Sequence, residues 1–135
     1  MKSRTAVVLV PILMILAFSV STRVEAFHAG PPRLAIASLE HSFGNVKPGT
    51  PLSFSFKIKN EGQTDLEIKS VSPSCGCTTS NFDKVVTPGK EGSITLVVEK
   101  TETYKGDVVK TATVVTNDPD KQQFVLTLKA FFAAD

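Results

Sequence analysis

The chain has 135 residues, 15 basic and 13 acidic, with 41% hydrophobic residues, two cysteines and no tryptophan. That length suits one ordinary domain. The near-neutral balance offers no basic surface of the kind that phosphate backbones select, so nucleic acid is not an expected partner.

The chain opens Met1-Lys2-Ser3-Arg4, and Ala6 to Val20 is apolar apart from Pro11 and Ser19. About fifteen apolar residues fall short of the roughly twenty that a spanning helix needs. A basic start, a short apolar stretch and small residues at Val24-Glu25-Ala26 together predict a secretory signal, residues 1–26, cut after Ala26. No cysteine lies near the cut, so no lipid anchor is expected. Cutting there leaves 109 residues with 12 basic and 12 acidic side chains. The expected location is periplasmic or secreted, with no stable membrane insertion once the signal is removed. Disulfides persist in such compartments.

Residues 27–33 contain Gly30-Pro31-Pro32 and read as a flexible lead-in to a domain over 34–132. Leu34 to Glu40 suits a first edge strand, and Pro48-Gly49 marks a turn after His41. Leu52, Phe54, Phe56 and Ile58 then alternate with Ser53, Ser55, Lys57 and Lys59. That period of two is a half-buried strand, since a helix would spread the same apolar residues around its surface. Asn60-Glu61-Gly62 ends it. Leu66, Ile68 and Val71 carry the next strand toward Ser72-Pro73, and Asn81 to Val86 fits either a short strand or a loop. Ile94, Leu96 and Val98 alternate again, Val108 to Thr116 is rich in Val and Thr, and Phe124, Leu126 and Leu128 form the last strand. About seven short strands with regular turn signals predict an all-β fold, an Ig-like antiparallel β-sandwich. Phe54, Phe56, Leu96 and Leu126 are its expected inward residues.

Ser74-Cys75-Gly76-Cys77-Thr78-Thr79 is the one run whose residues suggest chemistry beyond packing. Cysteines two apart can close a small disulfide if the chain bends between them, and Gly76 has the freedom to bend. Such a small loop gains little from closure entropy. The pair has four open uses: loop packing, thiol redox exchange, Cu(I) binding as two soft ligands, or pairing with another chain. A closed zinc site would want more ligands than Cys75 and Cys77, and only His28 and His41 are on offer, each read as a surface residue. No resident metal or cofactor is therefore expected, with copper the one candidate.

Elsewhere the residues argue against catalysis. No histidine is set beside an acid to activate a nucleophile. Asp65, Asp83 and Asp107 read as solvated turn residues, Tyr104 as surface, and Gly89-Lys90-Glu91-Gly92 as a turn too short for a phosphate loop. The cations nearest the cysteines in sequence are Lys69 and Lys84, weak support for a lowered thiol pKa. An enzyme is not expected; a binding or assembly module with an unidentified protein partner is, with a thiol redox or Cu(I)-binding protein as the alternative.

Phe43-Gly44-x-Val46-x-x-Gly49, Phe56-x-Ile58-x-Asn60-x-Gly62 and Leu66-x-Ile68-x-x-Val71 resemble a bacterial Ig-like family, catalogued as domain of unknown function 1573. Ser74-Cys75-Gly76-Cys77-Thr78-Thr79, Pro88-Gly89-x-x-Gly92 and Val115-Thr116-Asn117-Asp118-Pro119 extend the resemblance over roughly His41 to Ala130. The chain is more distantly similar to the Ig-like domains of ciliary proteins and major sperm protein. The resemblance implies an Ig-like fold and an exported location, and no activity.

Overall fold

In the computed structural model, which describes residues 29–134, nine strands form two facing sheets. The predicted signal and its cut lie outside the described residues, as does His28. The strands are β1 (Leu34–Ile36), β2 (Glu40–Val46), β3 (Leu52–Asn60), β4 (Leu66–Pro73), β5 (Thr78–Phe82), β6 (Val85–Val86), β7 (Glu91–Val98), β8 (Gly106–Thr116) and β9 (Gln123–Phe132). One sheet has the order β1-β3-β7-β5 and the other β2-β9-β8-β4-β6. The sandwich is the expected one, with more strands than the expected seven.

Alternation along β3 and β7 sends Leu52, Phe56, Ile58, Ile94, Leu96 and Val98 inward, where they meet Val114, Leu126, Leu128 and Phe132 of the other sheet. Phe56, Leu96 and Leu126 are almost wholly buried, as their alternation predicts. Phe54 faces the same way but is only half-buried, and the His41 ring stacks on it with centroids 3.6 Å apart. Because His41 belongs to β2 and Phe54 to β3, this pair joins the two sheets.

The predicted first strand divides in two. β1 stops at Ile36, and the chain crosses to the other sheet to form β2 from Glu40 to Val46, residues read from sequence partly as a turn. β2 runs parallel to β9, so the second sheet is mixed and not wholly antiparallel. Gly44 supplies the register shift between Ser42 and Asn45 with φ of 70°, a left-handed conformation that glycine adopts freely. The stretch Asn81 to Val86, ambiguous in sequence, is the end of β5 followed by β6.

Gly30 to Arg33, expected to be flexible, are held in place. Gln63 N–H donates to the Pro31 carbonyl, Glu61 N–H to the Arg33 carbonyl, and the Gly30 N–H to Gln63 Oε1. The approach is close enough that a Cβ on Gly62 would fall 2.6 Å from Pro32 Cα. Buried polar side chains complete these joints. Asn60 is fully buried; its Nδ2 donates to the Thr64 and Val86 carbonyls, and its Oδ1 accepts from Arg33 and Gly62 N–H. Asp118, also buried, accepts from Leu34 and Asp120 N–H, while Asn117 bridges the Asp65 carbonyl and Glu67 N–H. Asp83 is likewise engaged, accepting from Ser93 N–H and Oγ. The Asn-x-Gly and Thr-Asn-Asp-Pro motifs thus act as structural joints.

Candidate functional site

The Cys-Gly-Cys run is the corner at which the chain leaves one sheet for the other, from β4 to β5. Both flanks are held. On the β4 side, Pro73 pairs with Ala112, Ser74 N–H donates to the Thr111 carbonyl, and Thr111 N–H donates to Ser74 Oγ. On the β5 side, Glu99 N–H donates to the Cys77 carbonyl and extends the β5–β7 ladder, while Thr78 N–H turns back to the Cys75 carbonyl. With both ends fixed, Cys75 and Cys77 stand with Cα atoms 5.4 Å apart, and the structure joins them as a disulfide. That spacing lies within the usual range for such bonds.

The bend does not draw on glycine's conformational range. Gly76 is absent from the positive-φ residues, and a Cβ there would meet nothing within 4 Å. This corrects the expected role of Gly76, because the anchored flanks make the turn.

Both cysteines are half-buried, and each sulfur has one polar neighbour. The Tyr104 hydroxyl lies 3.0 Å from Cys77 Sγ and donates to it, since a disulfide sulfur has no proton to give. The Lys110 ammonium lies 3.6 Å from Cys75 Sγ and 4.7 Å from the centre of the Tyr104 ring. Tyr104 comes from the β7–β8 connection, where its N–H donates to the Thr101 carbonyl, and its ring packs edge-on against buried Phe132 at 5.4 Å. Thr78 Oγ1 is 3.8 Å from Cys75 Sγ. Four segments therefore converge on the disulfide: the corner, the end of β7, the β7–β8 connection and β8.

Sequence reading missed two of these residues. Tyr104 is half-buried against the core and not free surface. Lys110, not Lys69 or Lys84, is the cation that reaches a sulfur. The signal for Lys110 was the strand register. Counting on antiparallel from Pro73↔Ala112 sets Cys75 opposite Lys110, but that count requires knowing that β4 pairs with β8. His41 is engaged with Phe43 and Phe54 and belongs to a strand, not to a turn. Among the described residues, no group of three or more His, Cys, Asp or Glu side chains could hold a metal ion. While the disulfide is closed, neither sulfur is a thiolate, the form in which cysteine ligates a metal.

Residues 34–132 match the family model described as "Protein of unknown function (DUF1573)". The chain belongs to that family. No curated protein matches it. Among solved structures, DUF1573 residues here superpose on a protein of unknown function from Porphyromonas gingivalis W83. The TM-score is 0.64 at 21% identity, covering 82% of this chain and 51% of that one. The chain thus spans about half the length of that protein. The ASH/PapD-like domain 7 of human CEP192 matches over 87% of this chain and 98% of its own, with TM-score 0.58 and 14% identity. The CsuC–CsuE chaperone–tip adhesion subunit pre-assembly complex of Acinetobacter baumannii matches with TM-score 0.53 at 11% identity, covering 75% of this chain and 52% of that one. These likenesses establish the Ig-like β-sandwich fold of this DUF1573 domain.

Proposed function

We propose that the chain is an exported Ig-like binding or assembly module, not an enzyme, and that it takes an extended segment of another protein along the outer edge of β5. The observation that carries this reading is the contrast among the four terminal strands of the two sheets. β1 has three residues and β6 two, too short to template a partner strand. β2 is longer, but it carries a register shift at its middle and a charged Glu40 bound to Lys129 at 2.8 Å. Short strands, bulges and charges are the devices that keep an edge from pairing. β5 has five residues in unbroken register with β7, and Thr-Thr-Ser-Asn-Phe contains neither charge nor proline. Such an edge can hydrogen-bond an added strand through its main chain, with alternate side chains supplying selectivity.

The similar chain from Acinetobacter baumannii comes from a chaperone–tip adhesion subunit pre-assembly complex, so protein engagement suits the architecture. The export reading rests on residues 1–26 and accords with a disulfide at the corner that leads into β5. Among the described residues, no helix is long and apolar enough to cross a membrane.

The test is site-specific photocrosslinking in cells that export the protein, with the reactive side chain at Asn81 and a control at Lys59. Both are exposed, one on β5 and one where β3 is paired on both sides, with Ala35 of β1 and Glu91 of β7. A discrete adduct at Asn81, absent at Lys59 and lost on Thr79→Lys, is the expected result. Equal labelling at both positions, or an adduct indifferent to Thr79→Lys, would contradict β5 docking.

A further inference from the structure

We propose that Cys75 and Cys77 are a thiol–disulfide exchange centre for an external cysteine thiol, in which Lys110 receives the departing Cys75 thiolate and Cys77 takes the incoming sulfur. The inference uses the corner itself and does not depend on strand addition at β5.

The two sulfurs are chemically alike but differently placed. Breaking the S–S bond puts a negative charge on one of them, and the better-stabilised sulfur leaves. Cys75 faces the full charge of an ammonium at 3.6 Å, and Cys77 faces a neutral hydroxyl dipole at 3.0 Å. A charge-assisted contact outweighs a neutral one roughly twofold. Cys75 is therefore the leaving sulfur. Lys110 is itself held for this work, because its ammonium lies over the Tyr104 ring and its strand is fixed between β9 and β4. Both cysteines are half-buried, not sealed, so a small thiol can reach them.

The step balances as follows. A thiolate RS⁻ attacks Cys77 Sγ, forming the R–S–Sγ bond as the Cys75–Cys77 bond breaks. The electron pair goes to Cys75 Sγ, which faces Lys110 and then takes a proton from water. A second thiolate attacks the R sulfur of the mixed disulfide, releasing RSSR, and Cys77 leaves as a thiolate toward the Tyr104 hydroxyl. Two thiols are oxidised by two electrons, and the protein disulfide is reduced to two thiols. The reverse sequence needs a disulfide as oxidant.

The experiment uses the oxidised mature protein with reduced glutathione as the thiol, acid quenching and peptide mass spectrometry. The expected first product carries glutathione on Cys77 with Cys75 free. Its formation slows about threefold to tenfold in Lys110→Met and recovers in Lys110→Arg, following the leaving thiol's pKa. Circular dichroism confirms that each variant is folded. A second readout is the pH at which the lone Cys75 thiol ionises in Cys77→Ser; it should rise when Lys110→Met is added, because the cation that favours the thiolate is gone. Glutathione on Cys75, an unchanged rate in Lys110→Met, an unchanged titration, or a folded protein that forms no adduct would each overturn the proposal.

Discussion

The side-chain amide of Asn60 donates to the Val86 carbonyl across 2.9 Å, tying the end of β3 in one sheet to the edge strand β6 of the other. The same side chain satisfies three further backbone groups, so its removal leaves several buried polar atoms without partners. Asn60→Ala should cost roughly 2–4 kcal/mol, since each orphaned buried group costs about 1–3. Asn60→Asp should not rescue it, because a carboxylate cannot donate to the Thr64 and Val86 carbonyls. Denaturant melts beside the exposed control Asn45→Ala check this, with the control within about 0.5 kcal/mol.

The core register is tested at neighbouring positions of β3. Phe56 is 2% exposed within the buried core and pairs with Ile94 of β7, so Phe56→Ala should cost about 3–5 kcal/mol. Ser55 points outward and meets Thr95 across the β3–β7 pair, oxygen to oxygen at 2.6 Å. Ser55→Ala should therefore cost only about 0.5 kcal/mol, the scale of an exposed cross-strand pair. Equal losses in urea melts would place the strand the other way up.

Alternation alone made these strands legible, because side chains in a half-buried strand must face water and core by turns. Three features were hidden for physical reasons. β2 has no fully buried residue and its alternation breaks at Gly44, so no run of core residues marks it, and parallel pairing leaves no hairpin signal. The roles of Asn60 and Asp118 depend on segments brought together over 26 and 84 residues of chain, which no local pattern encodes. The cysteine corner was visible as composition, but Lys110 and Tyr104 reach it only through strand pairing and a loop folded onto Phe132.

The disulfide is not the staple of the fold. Its loop spans two residues of sequence separation, and the flanks are independently fixed by Thr111 and Glu99. The double variant Cys75→Ala/Cys77→Ala should lose less than about 2 kcal/mol, the low end for a lost disulfide. Gly76→Ala should be near neutral, because an added Cβ meets nothing within 4 Å. Thermal melts of both variants provide the check, and a collapse of either would make the corner a structural requirement.

Processing is expected after Ala26, so that the exported chain begins at Phe27. N-terminal sequencing of protein recovered from the periplasm or medium reads this directly. Retention of Met1 in that material would contradict cleavage after Ala26.

The central claim, that β5 offers the edge on which a partner strand adds, is tested most directly by amide hydrogen exchange over Thr78–Phe82. The measurement compares the free mature protein with the complex captured by crosslinking at Asn81. In the free protein, the amides of β5 that point away from β7 should exchange quickly, while those bonded to β7 stay protected. In the complex the fast amides of β5 should become protected, with the β2 edge unchanged. Protection gained along β2 while β5 remains as it was would contradict the account.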